Sequence, residues 1–223
     1  MSSFVLKIIA MVTMFIDHLG YTIWGKFSYF NYIGRLSLPI FAFGISEGYI
    51  HTKSKRNYLI RLFTFAIVSQ APFMFFRSMF TTGFSLNIFF TLFLGLVAII
   101  GYEQCKNKYV GILLVACLSI TADALKMDYG YFGILMIFIF HVFKNNKLLM
   151  NISYIVLCLL KYMPLYVLNN FYLPYLILCL CTILALVFIN LYNGKKGPNT
   201  KYILYGFYPV HLILLYVFNL IFI

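Results

Sequence analysis

Lys7 and His18 stand eleven residues apart, almost a whole number of helical turns, so a helix places both on one face about 16 Å from each other. A lysine suits phosphate oxygens, and an imidazole can take up and return a proton. The pair therefore fits a long donor whose phosphates rest on Lys7 while its reactive end reaches His18, and the pantetheine arm of coenzyme A is of that length. The five carboxylates are Asp17, Glu47, Glu103, Asp123 and Asp128. Asp17 and Asp123 fall inside apolar runs, as do Arg35, His18 and His211, and Glu47 falls near the end of one. An ionisable side chain at mid-bilayer costs about 2.5–3.5 kcal/mol on insertion scales, so each should face a partner or a wet cavity.

Counted along the helices, Asp17, His18, Arg35 and Asp123 all come out about 20 Å from the cytoplasmic end, with His211 lower, at about 12 Å. Each also has a plainer reading. A lone intramembrane His is commonly a helix-packing partner. Arg35 and Asp17 would equally make a buried ion pair between the first two helices. Glu47 and His51, four apart on one face, could hold a ligand or simply pair at a helix end beside Lys53 and Arg56. Asp128 belongs to an outer loop, and Asp123 and Asp128 are read as structural or acceptor-side residues.

The elements that must position these groups are membrane helices. Of 223 residues, 63% are hydrophobic and 10% charged, with a mean hydropathy of +0.94, far from soluble composition. Apolar runs at 4–24, 30–50, 58–76, 84–101, 109–125, 129–143, 148–167, 171–192 and 203–222 predict an all-α bundle of about nine transmembrane helices, a single membrane domain over 1–223. The run 129–143 is short for a full span. Helix one contains Asp17 and His18 and lacks a small-residue cleavage site, so it reads as a span rather than a cleaved signal.

The formal charge of +12 comes from basic residues in short loops, a membrane-protein pattern rather than a nucleic-acid one. Placing the N-terminus inside puts Lys7, Lys53, Lys55, Arg56, Arg61, Lys106, Lys108, Lys144, Lys147, Lys195, Lys196 and Lys201 on the inner side. Lys26, Arg77, Lys126 and Lys161 fall outside, which predicts N-in, C-out. The five cysteines form no CxxC pair and imply neither disulfide nor metal.

Several segments resemble the TraX family, which includes the F-pilin acetylation protein. They are LKIIAMVTMFIDHLG (Leu6 to Gly20), IGRLSLPIFAFGISEGYIHTKSKRNYLIRL (Ile33 to Leu62), SQAPF (Ser69 to Phe73), LNIFFTLFLG (Leu86 to Gly95), DYGYFGIL (Asp128 to Leu135) and YGFYPVHLILL (Tyr205 to Leu215). The same residues are similar to the wider membrane acyltransferase-three superfamily, whose first helix carries a basic residue, ten positions, then His. Lys7 and His18 match that pattern, but the RxxR pair of the second loop is absent; Arg56 and Arg61 stand five apart.

The resemblance implies a membrane acyltransferase of the bacterial inner (plasma) membrane. It would move an acetyl group from cytoplasmic acetyl-CoA to an amine or hydroxyl of a peptide, sugar or lipid. His18 would be the general base, with Asp17 orienting it or pairing with Arg35. Arg35 or Tyr208 would stabilise the oxyanion, and Lys7, Arg56 and Arg61 would hold donor phosphates. His211 would relay a proton or touch the pantetheine. The rival reading is a small proton-coupled transporter, which a layer of Asp, His and Arg would also serve. Against it stands the lack of an inverted repeat. A non-catalytic assembly subunit is the third.

Overall fold

The computed structural model describes residues 1–25, 27–198 and 201–222, without the side chains of Lys201 and Tyr202. Lys26 and the Lys201 side chain, both used above for orientation, lie outside the described part. The described residues form eleven helices: α1 Ser3–Trp24, α2 Tyr29–Gly34, α3 Ser37–His51, α4 Lys55–Val68, α5 Gln70–Ser78, α6 Ile88–Gln104, α7 Lys108–Ala124, α8 Gly130–Val142, α9 Lys147–Leu168, α10 Leu173–Asn190 and α11 Lys201–Phe222. No strand occurs among them, only an isolated bridge between Leu86 and Met127. Five segments are long and apolar enough to cross a membrane: Ser3–Trp24, Lys55–Ser78, Lys147–Leu168, Leu173–Asn190 and Ile203–Phe222.

Two of the expected continuous runs are broken, and proline explains both. The run 30–50 divides into α2 and α3 at Arg35 and Leu36. Pro39, in the first turn of α3, has no N–H to give the carbonyl four residues back, at Arg35. The run 58–76 divides into α4 and α5 at Ser69, where Pro72 stands in the same relation to Val68. The second break is stitched by side chains. Asn87 Nδ2 donates to Ala66 O (2.7 Å) and to Gln70 Oε1 (2.9 Å), and Gln70 Nε2 donates to Ser85 O (2.7 Å). Such bonds replace what the interrupted backbone loses where water is scarce.

The chain divides into two compact units, residues 1–41 with 147–223, and residues 42–146. In the first, α1 packs on α2 and α11, and α10 on α9 and α2. Tyr154 ties α9 to α10 by donating to Thr182 O at 2.7 Å. In the second, α6, α7 and α8 pack mutually around Ala98, Val115, Ala122 and Ile134, with α4 against α6. Small residues set that approach: a Cβ on Gly95 would lie 2.3 Å from Ile137 Cδ1, and one on Gly133 2.6 Å from Thr91 Cγ2. Without a hydrophobic drive between helices in lipid, such close packing is what binds them.

Candidate functional site

The first unit gathers the rare polar residues of α1, α2 and α11. Arg35 Nη2 donates to both Asp17 oxygens, at 2.9 and 2.8 Å, and its Nε donates to Asn31 O at 3.1 Å. Both side chains are nearly buried, 13% exposed for Arg35 and 10% for Asp17. Asn31 Nδ2 donates to Asp17 O (3.0 Å) and Oδ1 (3.1 Å). Its own Oδ1 accepts from Ser28 N and Ser28 Oγ, so one amide both starts α2 and grips α1. Gly34 completes the grip, since a Cβ there would fall 2.2 Å from Asp17 Cβ. The carboxylate next to His18 is therefore clamped by α2, and the helix break at Arg35 turns the guanidinium toward it.

His18 meets α11 instead. Its Nδ1 lies 2.7 Å from His211 Nε2, with the rings 9° from parallel. His211 Nδ1 lies 2.7 Å from Phe207 O. A carbonyl only accepts, so Nδ1 of His211 carries the hydrogen, and in the neutral ring its Nε2 is an acceptor. His18 Nδ1 must then be the donor, which leaves Nε2 as the basic nitrogen of His18. His211 is 2% exposed, whereas His18 is only partly buried. Tyr208, 3% exposed, lies edge-on to both rings.

The structure brings Asp17 and Arg35 together and His18 and His211 together. Lys7 sits half-buried near the start of the same helix. The other sequence-derived residues belong to the second unit. Asp123 accepts from the Tyr131 amide at 2.9 Å, which caps the start of α8. Asp128 pairs through its backbone with Leu86 O and Thr91 Oγ1. Glu47 and His51 pair across one helical turn at 3.4 Å. Arg56 is exposed in the first turn of α4. Arg61 stacks over Tyr58 at 5.4 Å, and its Nε is buried without a hydrogen-bond partner.

Two groups escaped the sequence reading. Gly34 lies within the IGR segment and Asn31 two residues before it, and only the close approach of α1 shows their use. The other is His141, fully buried at the last turn of α8, with Nε2 2.7 Å from Glu103 Oε1 and Nδ1 without a partner. Glu103 belongs to the last turn of α6. The two are 38 residues apart, so spacing gave no signal. Among the described residues no group of three or more His, Cys, Asp or Glu side chains could hold a metal.

Among the described residues the chain is all-helical, with five segments long and apolar enough to cross a membrane and with a clamped carboxylate and a hydrogen-bonded histidine pair among its helices; that is the character of a membrane protein with an internal polar site. More particularly, it belongs to the TraX family: the family model, described as TraX protein, matches residues 2–219. It is also 30% identical over 238 residues to the probable fimbrial assembly protein FimC of Dichelobacter nodosus, covering 96% of this chain and 94% of that protein. No solved structure matches.

Proposed function

We propose that the protein is a membrane-embedded acyltransferase that moves an acetyl group from acetyl-CoA to an amine or hydroxyl, with His18 as general base. One observation carries this reading: the chain Phe207 O, His211, His18 fixes the tautomer of a partly buried His18, with Nε2 as its basic nitrogen. As the acceptor N–H or O–H attacks the thioester carbonyl, His18 Nε2 takes its proton. The tetrahedral intermediate collapses with cleavage of the carbon–sulfur bond, and the proton passes to the departing thiolate. The products are the amide or ester and the free thiol. His211 holds the imidazole in orientation, as a hydrogen-bonded partner does in other acid–base pairs. Asp17 and Arg35 are engaged with each other, which favours Tyr208 over Arg35 as the donor to the developing oxyanion.

Lys7 would hold donor phosphates, with Arg56 and Arg61 as further candidates; the buried, unpartnered Nε of Arg61 supports an anion there. The Lys7–His18 spacing supports placement within the acyltransferase-three superfamily. Counting α2 with α3 and α4 with α5 as single crossings supports nine spans; the Lys and Arg asymmetry supports N-in, C-out, and the proposed location is the inner membrane of a bacterium. The relative's name, a fimbrial assembly protein, favours a peptide N-terminal amine as acceptor over a sugar or lipid. A proton-coupled transporter is the second reading, favoured by the buried His141, which is bonded to the exposed Glu103 and has an unpartnered Nδ1.

Feeding acetyl-labelled acetyl-CoA to membranes holding wild type or His18→Ala separates the two. The acyltransferase predicts His18-dependent label in a peptide, sugar or lipid fraction. Label at background in all three contradicts it.

A further inference from the structure

The start of α1 is held by a segment from the other end of the chain. Ser3 N donates to Lys195 O (2.8 Å), Phe4 N donates to Lys196 O (3.1 Å), and Asn193 N donates in return to Met1 O (2.9 Å). Asn193 Oδ1 folds this segment by accepting from Lys195 N at 3.1 Å. A helix leaves its first four N–H groups without partners inside the helix. Here Ser2 Oγ accepts from Val5 N, and residues 193–197 act as a strap that takes the Ser3 and Phe4 amides. Gly197 lets the strap lie against the helix. Its φ of 72° suits glycine, and a Cβ there would come 2.8 Å from Phe4 Cβ and 3.0 Å from Ser2 Oγ.

The strap leads into α11, which begins at Lys201 and packs on α1. Phe4 precedes His18 by fourteen residues, and Lys196 precedes His211 by fifteen. The two chain segments are therefore joined at two levels, by backbone bonds at the strap and by the 2.7 Å contact of His18 Nδ1 with His211 Nε2 further along. A hydrogen bond between two rings tolerates little sliding, because it weakens steeply outside a narrow range of distance and angle.

We infer that the strap sets the axial position at which α1 presents His18 to His211, with Gly197 and the Ser3 amide as positioning groups for the base. Its effect on turnover rests on the acyl-transfer reading; the geometry of the histidine pair does not. Tautomers supply a readout independent of activity. His18 and His211 both carry their hydrogen on Nδ1, whereas His141 carries it on Nε2, toward the Glu103 carboxylate. The His211 tautomer is fixed by Phe207 O of its own helix, and that of His18 by the His211 ring.

The test is NMR of the ring nitrogens of the four histidines, with acetyl-CoA hydrolysis alongside, on the full chain in detergent. The proteins are wild type, Ser3→Pro, Gly197→Ala and Gly206→Ala. Ser3→Pro removes one strap donor at the first helical position, where proline is well tolerated, so it opens the strap without unwinding α1. In Ser3→Pro and Gly197→Ala the His18 signal should leave its Nδ1–H position while that of His211 stays. Turnover should fall roughly ten- to hundred-fold, the scale of a base misplaced by up to about 1 Å, with KM nearly held. Gly206→Ala, whose Cβ meets nothing within 4 Å, should match wild type in both. A lower melting temperature with the His18 signal unmoved would make the strap a helix cap and overturn the inference, as would movement of both signals together. A His18 signal that moves while turnover holds keeps the strap and refutes His18 as the base. If wild type never cleaves the thioester, the acyltransferase falls, and the His18 signal of Ser3→Pro still decides the strap.

Discussion

A histidine whose one nitrogen is committed to a neighbouring ring has its other nitrogen aimed, and in a dry site aim counts for more than average basicity. At the scale of residues, the account assigns distinct duties to neighbours in sequence: His18 to the proton, Asp17 to the clamp. His18→Ala should lower thioester turnover by about 10²–10⁴-fold while donor affinity holds, and His211→Ala should cost less because the base remains. Steady-state kinetics that show equal loss of affinity in His18→Ala would make it a binding residue. The clamp predicts non-additive stability. Removing one partner of a nearly buried ion pair costs about 3–5 kcal/mol, whereas replacing both by apolar groups can be close to neutral. Asp17→Leu or Arg35→Leu alone should therefore melt well below wild type in detergent, and the double variant should recover much of the difference. Melting midpoints that add would show that the two do not act as a pair.

At the scale of elements, the site depends on α2 being short. Pro39 withholds an N–H from the Arg35 carbonyl, α2 ends, and the guanidinium swings onto Asp17. A continuous second helix, as the apolar pattern suggests, would hide that turn, because Pro39 stands in the first turn of α3, where a proline is tolerated and does not by itself announce a break. Gly34 tests the approach. Gly34→Ala would set a Cβ 2.2 Å from Asp17 Cβ, whereas a Cβ on Gly44 meets nothing within 4 Å. Gly34→Ala should lower both melting temperature and turnover, and Gly44→Ala should change neither; similar behaviour of the two would show that α1 and α2 are not in close contact there. The rare polar residues of α1 and α2 were legible because ionisable groups in apolar runs are expensive. Their pairing was not. His18 and His211 are 193 residues apart, and nothing in the spacing of either says that α11 returns to α1. Asp123 illustrates the converse: equal depth suggested a shared layer, yet its carboxylate caps α8, a local duty that burial arithmetic cannot see.

At the scale of the whole molecule, membrane character and helical class are plain from composition, because 63% hydrophobic and 10% charged residues lie far from the half-apolar, quarter-charged make-up of soluble domains. Division into two compact units was not legible, since both are built from the same apolar helices and no linker composition marks the joins. Orientation rests on the Lys and Arg asymmetry and makes a direct prediction. Single cysteines introduced in a cysteine-free chain at residues 52–54 and 105–107 should react with an impermeant maleimide only in inside-out vesicles. One at residues 80–83 should react in intact cells whose outer membrane is permeabilised, and the reverse pattern would invert the topology. The central claim, a histidine that deprotonates an acyl acceptor, is tested most directly by acetyl-CoA binding and slow hydrolysis in purified wild type and His18→Ala. The account predicts that both bind and that only wild type releases free thiol. Absence of donor binding by wild type, or undiminished hydrolysis by His18→Ala, would contradict it.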